Sequence, residues 1–353
     1  MRLLIVRLGA IGDVMHTLPS LSAIKSGLPS CIVGWAVQKG VVHSLLQGSP
    51  DIDELYEVDL SSRDGIRNAV TSIRNAEFDV SLDFQGLLKS AVIPWLARIP
   101  RRMGFDFNAL REPASGILLN ERVEADDTIH IIEKNLTLVR ALPCSTTGTY
   151  RFPIALSDAD YSFAARIRER VNGDFAILNP GGGWQTKLWD AEKYGLIADR
   201  LWREFGVRSL ITHGPGEYHL ADKVATSAKT AAAITVASSL KEFLALSRKA
   251  LIFVGPDTGP MHLAAAAGTP IVALFGSSSA KRNGPFDDRD LAVERHDLEC
   301  RVNCYRRQCE HVSCMDLPVE AVWAAITRRL ATVESPNAPN AVAEHMRNLE
   351  VRD

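Results

Sequence analysis

The stretch Arg7–Pro19, "RLGAIGDVMHTLP", decides how the rest of the chain is read. An apolar run, "LLIV" at Leu3–Val6, leads into it like a buried strand and drops into a turn with Gly9 and Gly12. Asp13 then stands where a helix should begin. The G-x-G-x-x-G spacing of a dinucleotide fingerprint is missing, and no Lys-Ser/Thr pair follows as in a Walker loop. Two readings of Asp13 stand side by side. It is a first-turn acid that stabilises the helix. Alternatively, it is a carboxylate at the carboxyl end of the first strand, where open α/β sheets bind ligands. There it would repel a phosphate yet serve as a general base toward a hydroxyl.

Outward from this stretch, short β-rich runs alternate with longer amphipathic segments, the pattern of parallel sheets with crossover helices. Strands are expected at Cys31–Val37, Leu55–Leu60 and Asp79–Phe84, and again as "FAILNPG", "RSLITHG", "AAITVA", "ALIFVG" and "PIVALFG" in the second half. The fold class is therefore α/β, with two Rossmann-like doubly wound domains. The expected boundaries are 1–155, 156–333 with a closing helix over Pro318–Val333, and a solvent-exposed tail over 334–353, which carries Pro336 and Pro339. At 353 residues the chain suits two domains.

Composition narrows the function. Lys plus Arg number 40 against 42 Asp plus Glu, so there is no basic excess of the kind that binds duplex nucleic acid, and aromatic-basic motifs are absent. The four-residue apolar run before Arg7 is too short for a signal peptide. Nowhere do about 18 apolar residues run unbroken. A cytoplasmic chain with reduced cysteines is expected.

Other stretches place chemistry at strand ends. "NPGGGWQTKLW" (Asn179–Trp189) is one residue short of a P-loop, with Thr186 where the second glycine would stand. It is a flexible connection, or a glycine-rich loop that aims Lys187 at a diphosphate. "VGPDTGPMHLAAAAGTP" (Val254–Pro270) ends a strand and opens a helix of small residues. The N–H groups of Thr258, Gly259 and Met261 are expected to face phosphate oxygens. A capped helix with a core histidine at His262 is the plainer account. Glu217, in "THGPGEYHLA", binds ribose hydroxyls or merely begins a helix. "DFQGLLKSA" (Asp83–Ala91) and "RIPRRMGFDFNALREP" (Arg98–Pro113) collect Lys89, Arg98, Arg101, Arg102 and Arg111. That is a solvated charged face or a loop-built patch for an anionic partner. Cys300, Cys304, Cys309 and Cys314 are spaced C-x3-C-x4-C-x4-C, near His296 and His311. Zinc or a disulfide pair would use such a cluster, although the spacing is not the usual paired C-x2-C. Cys31 and Cys144 read as packing residues.

In this order the motifs "RLGAIGDVMHTLP", "DFQGLLKSA", "REP", "GGGWQTKLW" and "VGPDTGPMHLAAAAGTP" resemble the heptosyltransferases of glycosyltransferase family 9, closest to the heptosyltransferase I type. The resemblance runs from about Met1 to Leu330. It implies a GT-B fold, with the two Rossmann-like domains facing each other across a cleft, the acceptor on the first and the sugar nucleotide on the second. It implies inverting transfer of heptose from ADP-heptose to Kdo of Kdo2-lipid A in lipopolysaccharide core synthesis. Asp13 then matches the catalytic base, and Lys187 the lysine that meets the departing diphosphate. Gly12, Thr186, Glu217, Asp257, Thr258, Gly259 and His262 fall to the donor. Lys89 and Arg111 fall to anionic groups of the acceptor, with Arg101 and Arg102 for the acceptor or for lipid headgroups. No cofactor or metal is required for ADP departure in this fold class. The expected partners are ADP-heptose, Kdo2-lipid A or a related anionic glycolipid, and the cytoplasmic face of the inner membrane, but no nucleic acid. Alternatives are a heptosyltransferase II, a transferase of another sugar or acceptor, a nucleotide-sugar epimerase on the same fold, and a nucleotide-binding protein without catalysis. The broken fingerprint disfavours an NAD-dependent oxidoreductase.

Overall fold

The computed structural model describes residues 1–146, 150–301, 304 and 306–333. The chain divides into two units, one over Met1–Ala155 and one from Leu156 onward. The first holds strands β1 (Arg2–Val6), β2 (Ile32–Gln38), β3 (Glu54–Val58), β4 (Val80–Asp83), β5 (Arg101–Phe105) and β6 (Glu121–Val123). The second holds β7 (Phe175–Leu178), β8 (Arg208–His213), β9 (Ala233–Ala237), β10 (Ile252–Pro256), β11 (Ile271–Phe275) and β12 (Leu291–Glu294). The central strands β4, β7, β10 and β11 are buried along their whole length. Parallel strands covered by helices on both faces demand such unbroken burial, which is why β7, β10 and β11 show no apolar–polar alternation.

The sheet orders are β3-β2-β1-β4-β5-β6 and β12-β11-β10-β7-β8-β9, with every described pair parallel. Counted within each unit, both read 3-2-1-4-5-6, the doubly wound order. The strand order reverses between β1 and β4 in one unit and between β7 and β10 in the other. Ligands of such sheets bind outside the carboxyl ends of the strands at those two points.

Local signals set the helices. Ser62 caps the helix Arg63–Asn75 by accepting from the Gly65 N–H, and Asp190 caps Ala191–Phe205 by accepting from Glu192. Gly206, left-handed at φ 67°, ends the latter. Each unit has its own core. Leu4, Val6, Ile73 and Ile93 lie in one; Tyr194, Ile197, Val254 and Trp323 lie in the other. Among the described residues no helix is long and apolar enough to cross a membrane.

Three strands depart from the expected set: β5, β6 and β12. "RRMGF" was expected to be part of a basic loop but is the fifth strand, paired with β4 from Arg101↔Val80 to Asp83↔Gly104. The strands β6 and β12 are short sheet edges carrying charge, where the hydrophobic signal is weakest. The expected tail over 334–353 lies outside the described residues.

Candidate functional site

At the first switch point, β1 runs through Arg7 and Leu8 into a short helix, Ile11–Met15, that carries Gly12 and Asp13 in its first turn. The Asp13 carboxylate accepts from the Ala10 N–H at 3.2 Å and pairs with Arg7 Nη2 at 2.6 Å. Its side chain is still 47% exposed while that of Arg7 is 7% exposed. Asp13 thus satisfies the helix start and still presents a carboxylate to solvent. Arg7 was not among the expected site residues. Its second amino group donates to Phe84 O at 2.5 Å, so it fastens Asp13 to the end of β4. The signal for it was an arginine directly after a buried apolar strand.

The β4 loop is knotted to the same place. Asp83, fully buried, accepts from the amides of Gln85 at 2.8 Å and Gly86 at 3.2 Å and from the Ser90 hydroxyl at 2.9 Å. Gln85 Oε1 in turn accepts from the Leu8 N–H at 2.8 Å. Burial pushes the Asp83 carboxyl up to about 6, against the pull of those hydrogen bonds and of Arg7. A carboxyl raised on folding stabilises fully below its unfolded value and loses that contribution as pH rises through the folded one. Wild type should therefore lose about 3 kcal/mol relative to Asp83→Asn between pH ~4 and ~6, at about 1.4 kcal/mol for each pH unit crossed. Urea unfolding of both proteins across that range measures it, and parallel pH profiles would reject it.

Lys89 is exposed in the first turn of the helix Leu88–Leu96, which follows this loop. Glu112 accepts from the Leu88 N–H at 2.8 Å, and its own amide donates to Gly86 O at 3.2 Å. That docking brings the exposed Arg111 to the same carboxyl end of the sheet. Arg101 and Arg102 do not join them. They occupy the opposite end of β5, in register with Val80 and Ser81, and their guanidinium groups are already engaged. Arg101 forks onto Glu121 at 2.7 and 3.0 Å, and Arg102 donates to Leu118 O and Ile99 O. The single loop-built basic patch is thus corrected to Lys89 and Arg111.

At the second switch point the glycine-rich loop after β7 meets the turn after β10. Lys187 Nζ donates to Asp257 O at 2.7 Å and to Asp257 Oδ2 at 2.8 Å. An ammonium has three donors, so one is left for a ligand. Asp257 also receives His262 Nε2 at 3.1 Å and the Ser278 hydroxyl at 2.6 Å. Burial alone would push the Asp257 carboxyl up. The His262 hydrogen bond and the Lys187 charge outweigh it and hold the group well below the usual carboxylate range. The side chains of Asp257 and His262 are both buried and bonded to one another, and Asp257 also holds Lys187. Thr186 is 1% exposed, donates to Arg306 O at 2.7 Å and accepts from Ser277 at 3.1 Å, bracing the loop from below.

The helix Gly259–Ala266 begins at Thr258, with Pro260 in its first turn. Thr258 and Gly259, as cap and first residue, have no intrahelical partner for their N–H groups. The Met261 N–H, expected to be available, donates to Thr258 O at 3.1 Å. Glu217 stands at the start of the helix Tyr218–Ser227 without capping it; Oε2 accepts from the Gly214 N–H at 3.1 Å. A Cβ on Gly181 would lie 2.6 Å from that same oxygen, so the glycine lets the Glu217 carboxylate lie directly on the loop. Gly181→Ala should displace Glu217 and raise the donor KM by about tenfold, the cost of one polar contact. An unchanged donor KM would show that the carboxylate does not touch the donor.

All six cysteines are free thiols, and among the described residues no three His, Cys, Asp or Glu side chains come together as a metal site. Cys314 packs under the loop, its sulfur 4.0 Å from Thr186 O. The segment's visible role is to back the Lys187 loop, with the Arg307 guanidinium over the Trp184 ring at 5.4 Å and Lys187 over it at 5.1 Å.

An exposed carboxylate stands at one switch point, and a lysine beside helix-start amides stands at the other. The chain belongs to glycosyltransferase family 9 (heptosyltransferase), whose sequence profile matches residues 66–313. It is similar to the lipopolysaccharide core heptosyltransferase OpsX of Haemophilus influenzae, 23% identical over 294 residues, covering 82% of this chain and 83% of that one. It is 27% identical over 335 residues to lipopolysaccharide heptosyltransferase 1 of Pseudomonas aeruginosa, covering 88% of each. Among solved structures, a family 9 glycosyl transferase from Veillonella parvula superposes with a TM-score of 0.81 at 19% identity, over 94% of this chain and 98% of that one. The E. coli heptosyltransferase WaaC with ADP gives 0.73 at 22% identity, over 94% and 100%. The fold is GT-B.

Proposed function

We propose that the protein is an inverting glycosyltransferase that moves L-glycero-D-manno-heptose from ADP-heptose to a Kdo hydroxyl of Kdo2-lipid A in lipopolysaccharide inner-core synthesis. The observation that carries this reading is the division of chemistry between the two switch points. Asp13 sits where a base is needed and no phosphate-binding fingerprint competes with it. Lys187, Thr258 and Gly259 sit where a diphosphate would end a Rossmann-type crevice. In the reaction Asp13 takes the proton of the attacking hydroxyl as its oxygen forms the new bond to the anomeric carbon. The bond from that carbon to the diphosphate oxygen breaks, and ADP leaves with the electron pair. Lys187 and the two amides meet the charge that develops on it, and Glu217 takes the ribose hydroxyls. Lys89 and Arg111 hold anionic groups of the acceptor. No metal enters this scheme, because the lysine and the helix start supply the positive potential.

Relatives named as heptosyltransferase 1 support the acceptor, and the solved neighbour holding ADP supports the donor. Lipopolysaccharide heptosyltransferase 3 of E. coli, 24% identical over 354 residues, favours a second reading with the same donor and a later core sugar as acceptor. The enzyme would work on the cytoplasmic face of the inner membrane, where a lipid-anchored acceptor is presented. Release of ADP from ADP-heptose that depends on added Kdo2-lipid A tests the proposal. Release only with a more complete core would select the second reading, and release with neither acceptor, while ADP binding persists, would reject this donor–acceptor pairing.

A further inference from the structure

The helix Leu88–Leu96 carries an unusual outer face. Leu88 is 46% exposed, Trp95 48% and Leu96 38%, with Val92 half-buried between them. Positions 88, 92, 95 and 96 follow the i, i+4, i+7, i+8 rhythm of one helical stripe. Such a stripe ordinarily faces a core, and here it faces solvent. The short helical turn Pro113–Leu118 packs beside this helix and extends the apolar surface with Ile117, which is 76% exposed. Phe107, 43% exposed, packs across Gly116 next to it. Contiguous exposed apolar surface of this kind marks an interaction site.

The charges around it choose the occupant. Lys89 stands in the first turn of this helix and the exposed Arg98 just past its end, while Arg101 is paired with Glu121 and Arg102 is bonded to Leu118 O and Ile99 O. Arg74, on the neighbouring helix, donates to Leu96 O at 2.7 Å, which places its guanidinium at the end of the stripe. Arg122 lies over the Phe107 ring at 4.9 Å. The acid nearest the helix start, Glu112, is turned onto the Leu88 amide. An aromatic and aliphatic surface ringed by arginine and lysine complements an anionic lipid bilayer, with the rings at the headgroup level and the cations on the phosphates.

We infer that the face formed by Leu88, Trp95, Leu96, Phe107 and Ile117 docks this protein onto an anionic membrane surface. Through Leu88 and Lys89 in the first turn of the helix, the surface adjoins the loop that carries Gln85, at the same end of the sheet as Asp13. Docking there would deliver a lipid-anchored acceptor to the base without drawing the acyl chains out of the bilayer. This extends the function proposed above to a defined surface, and it rests on that reading only for the identity of the acceptor.

The test is sedimentation with sucrose-loaded vesicles of phosphatidylcholine alone or with a quarter phosphatidylglycerol, comparing wild type with Trp95→Ser/Ile117→Ser. Wild type should sediment with the anionic vesicles, less so as salt is raised, and hardly with the neutral ones. The double variant, with its thermal melting unchanged, should bind about tenfold more weakly or worse, because two apolar anchors are lost. Absence of sedimentation, or sedimentation undiminished in a folded variant, would overturn the inference. A wild-type dimer that the variant loses, without vesicle binding, would overturn it in favour of a second copy of this chain. Sedimentation needs neither donor nor acceptor. Vesicle binding without transfer would therefore reject the acceptor and leave the surface standing. Transfer to a deacylated acceptor without vesicle binding would do the reverse.

Discussion

Asp13→Asn should lower acceptor-dependent ADP release by about 10²–10⁴-fold, the range that general-base catalysis contributes, while ADP binding stays as it is. The amide keeps the shape of the side chain, and its oxygen still accepts from Ala10 or Arg7. What it loses is the ability to take a proton. The variant separates the helix-starting role that the structure shows for Asp13 from its proposed role as base, because the first survives the change and the second does not. Steady-state rates with isothermal titration of ADP on the same preparation decide it. Undiminished turnover would return Asp13 to the helix start alone. Arg7→Lys is the companion variant: it keeps the charge but cannot reach Phe84 and Asp13 with one planar fork, so it should lower kcat with little effect on the donor KM.

Lys187→Met should be costly twice over. Removing the cation proposed to meet the leaving diphosphate is expected to cost about 10²–10³-fold in kcat/KM, comparable to one oxyanion donor. It also leaves the buried Asp257 carboxylate with His262 and Ser278 but without its lysine. Breaking a buried pair from one side destabilises by about 3–5 kcal/mol. The pH dependence carries the signature. A carboxyl depressed on folding stabilises above its unfolded value and loses that contribution as pH falls through the folded one. The stability gap between wild type and Lys187→Met should therefore be widest near neutrality and narrow as pH falls below ~4. Lys187→Arg should recover much of the stability and less of the rate, since a guanidinium cannot reproduce a compact point charge between Asp257 and the donor. Equal melting temperatures for wild type and Lys187→Met at pH 7 would mean that Asp257 draws nothing from the lysine.

The sequence is informative where burial is complete. The Leu3–Val6 part of β1, with β7, β10 and β11, forms apolar runs because helices cover both faces, and the loops at their carboxyl ends are legible as strand-to-helix turns. It is uninformative at the sheet margins, where β6 and β12 have few residues to bury and carry charge. "RRMGF" reads as basic because its first two residues lie at the end of β5, where solvent is near, and only the last three enter the core. The site is legible as motifs but not as directions. Nothing local says that the Thr186 hydroxyl is consumed by Arg306 and Ser277, which lie 120 and 91 residues further along. Nor does it say that Asp257 faces inward to Lys187 rather than outward to a ligand. Arg7 is marked locally only by its place directly after a buried apolar strand, and its partner Phe84 is 77 residues away.

The repetition of one strand order in both units, each around its own core, has an evolutionary reading. Changes in Met1–Ala155 are absorbed by a core that shares none of the packing around Lys187 and Asp257, so substitutions in the two units should combine additively. A lineage can therefore retune the half proposed to meet the acceptor, residue by residue, while the half proposed to meet the nucleotide is left untouched. Diversification of the acceptor becomes a problem confined to half a protein, open to recombination of intact units as well as to point mutation.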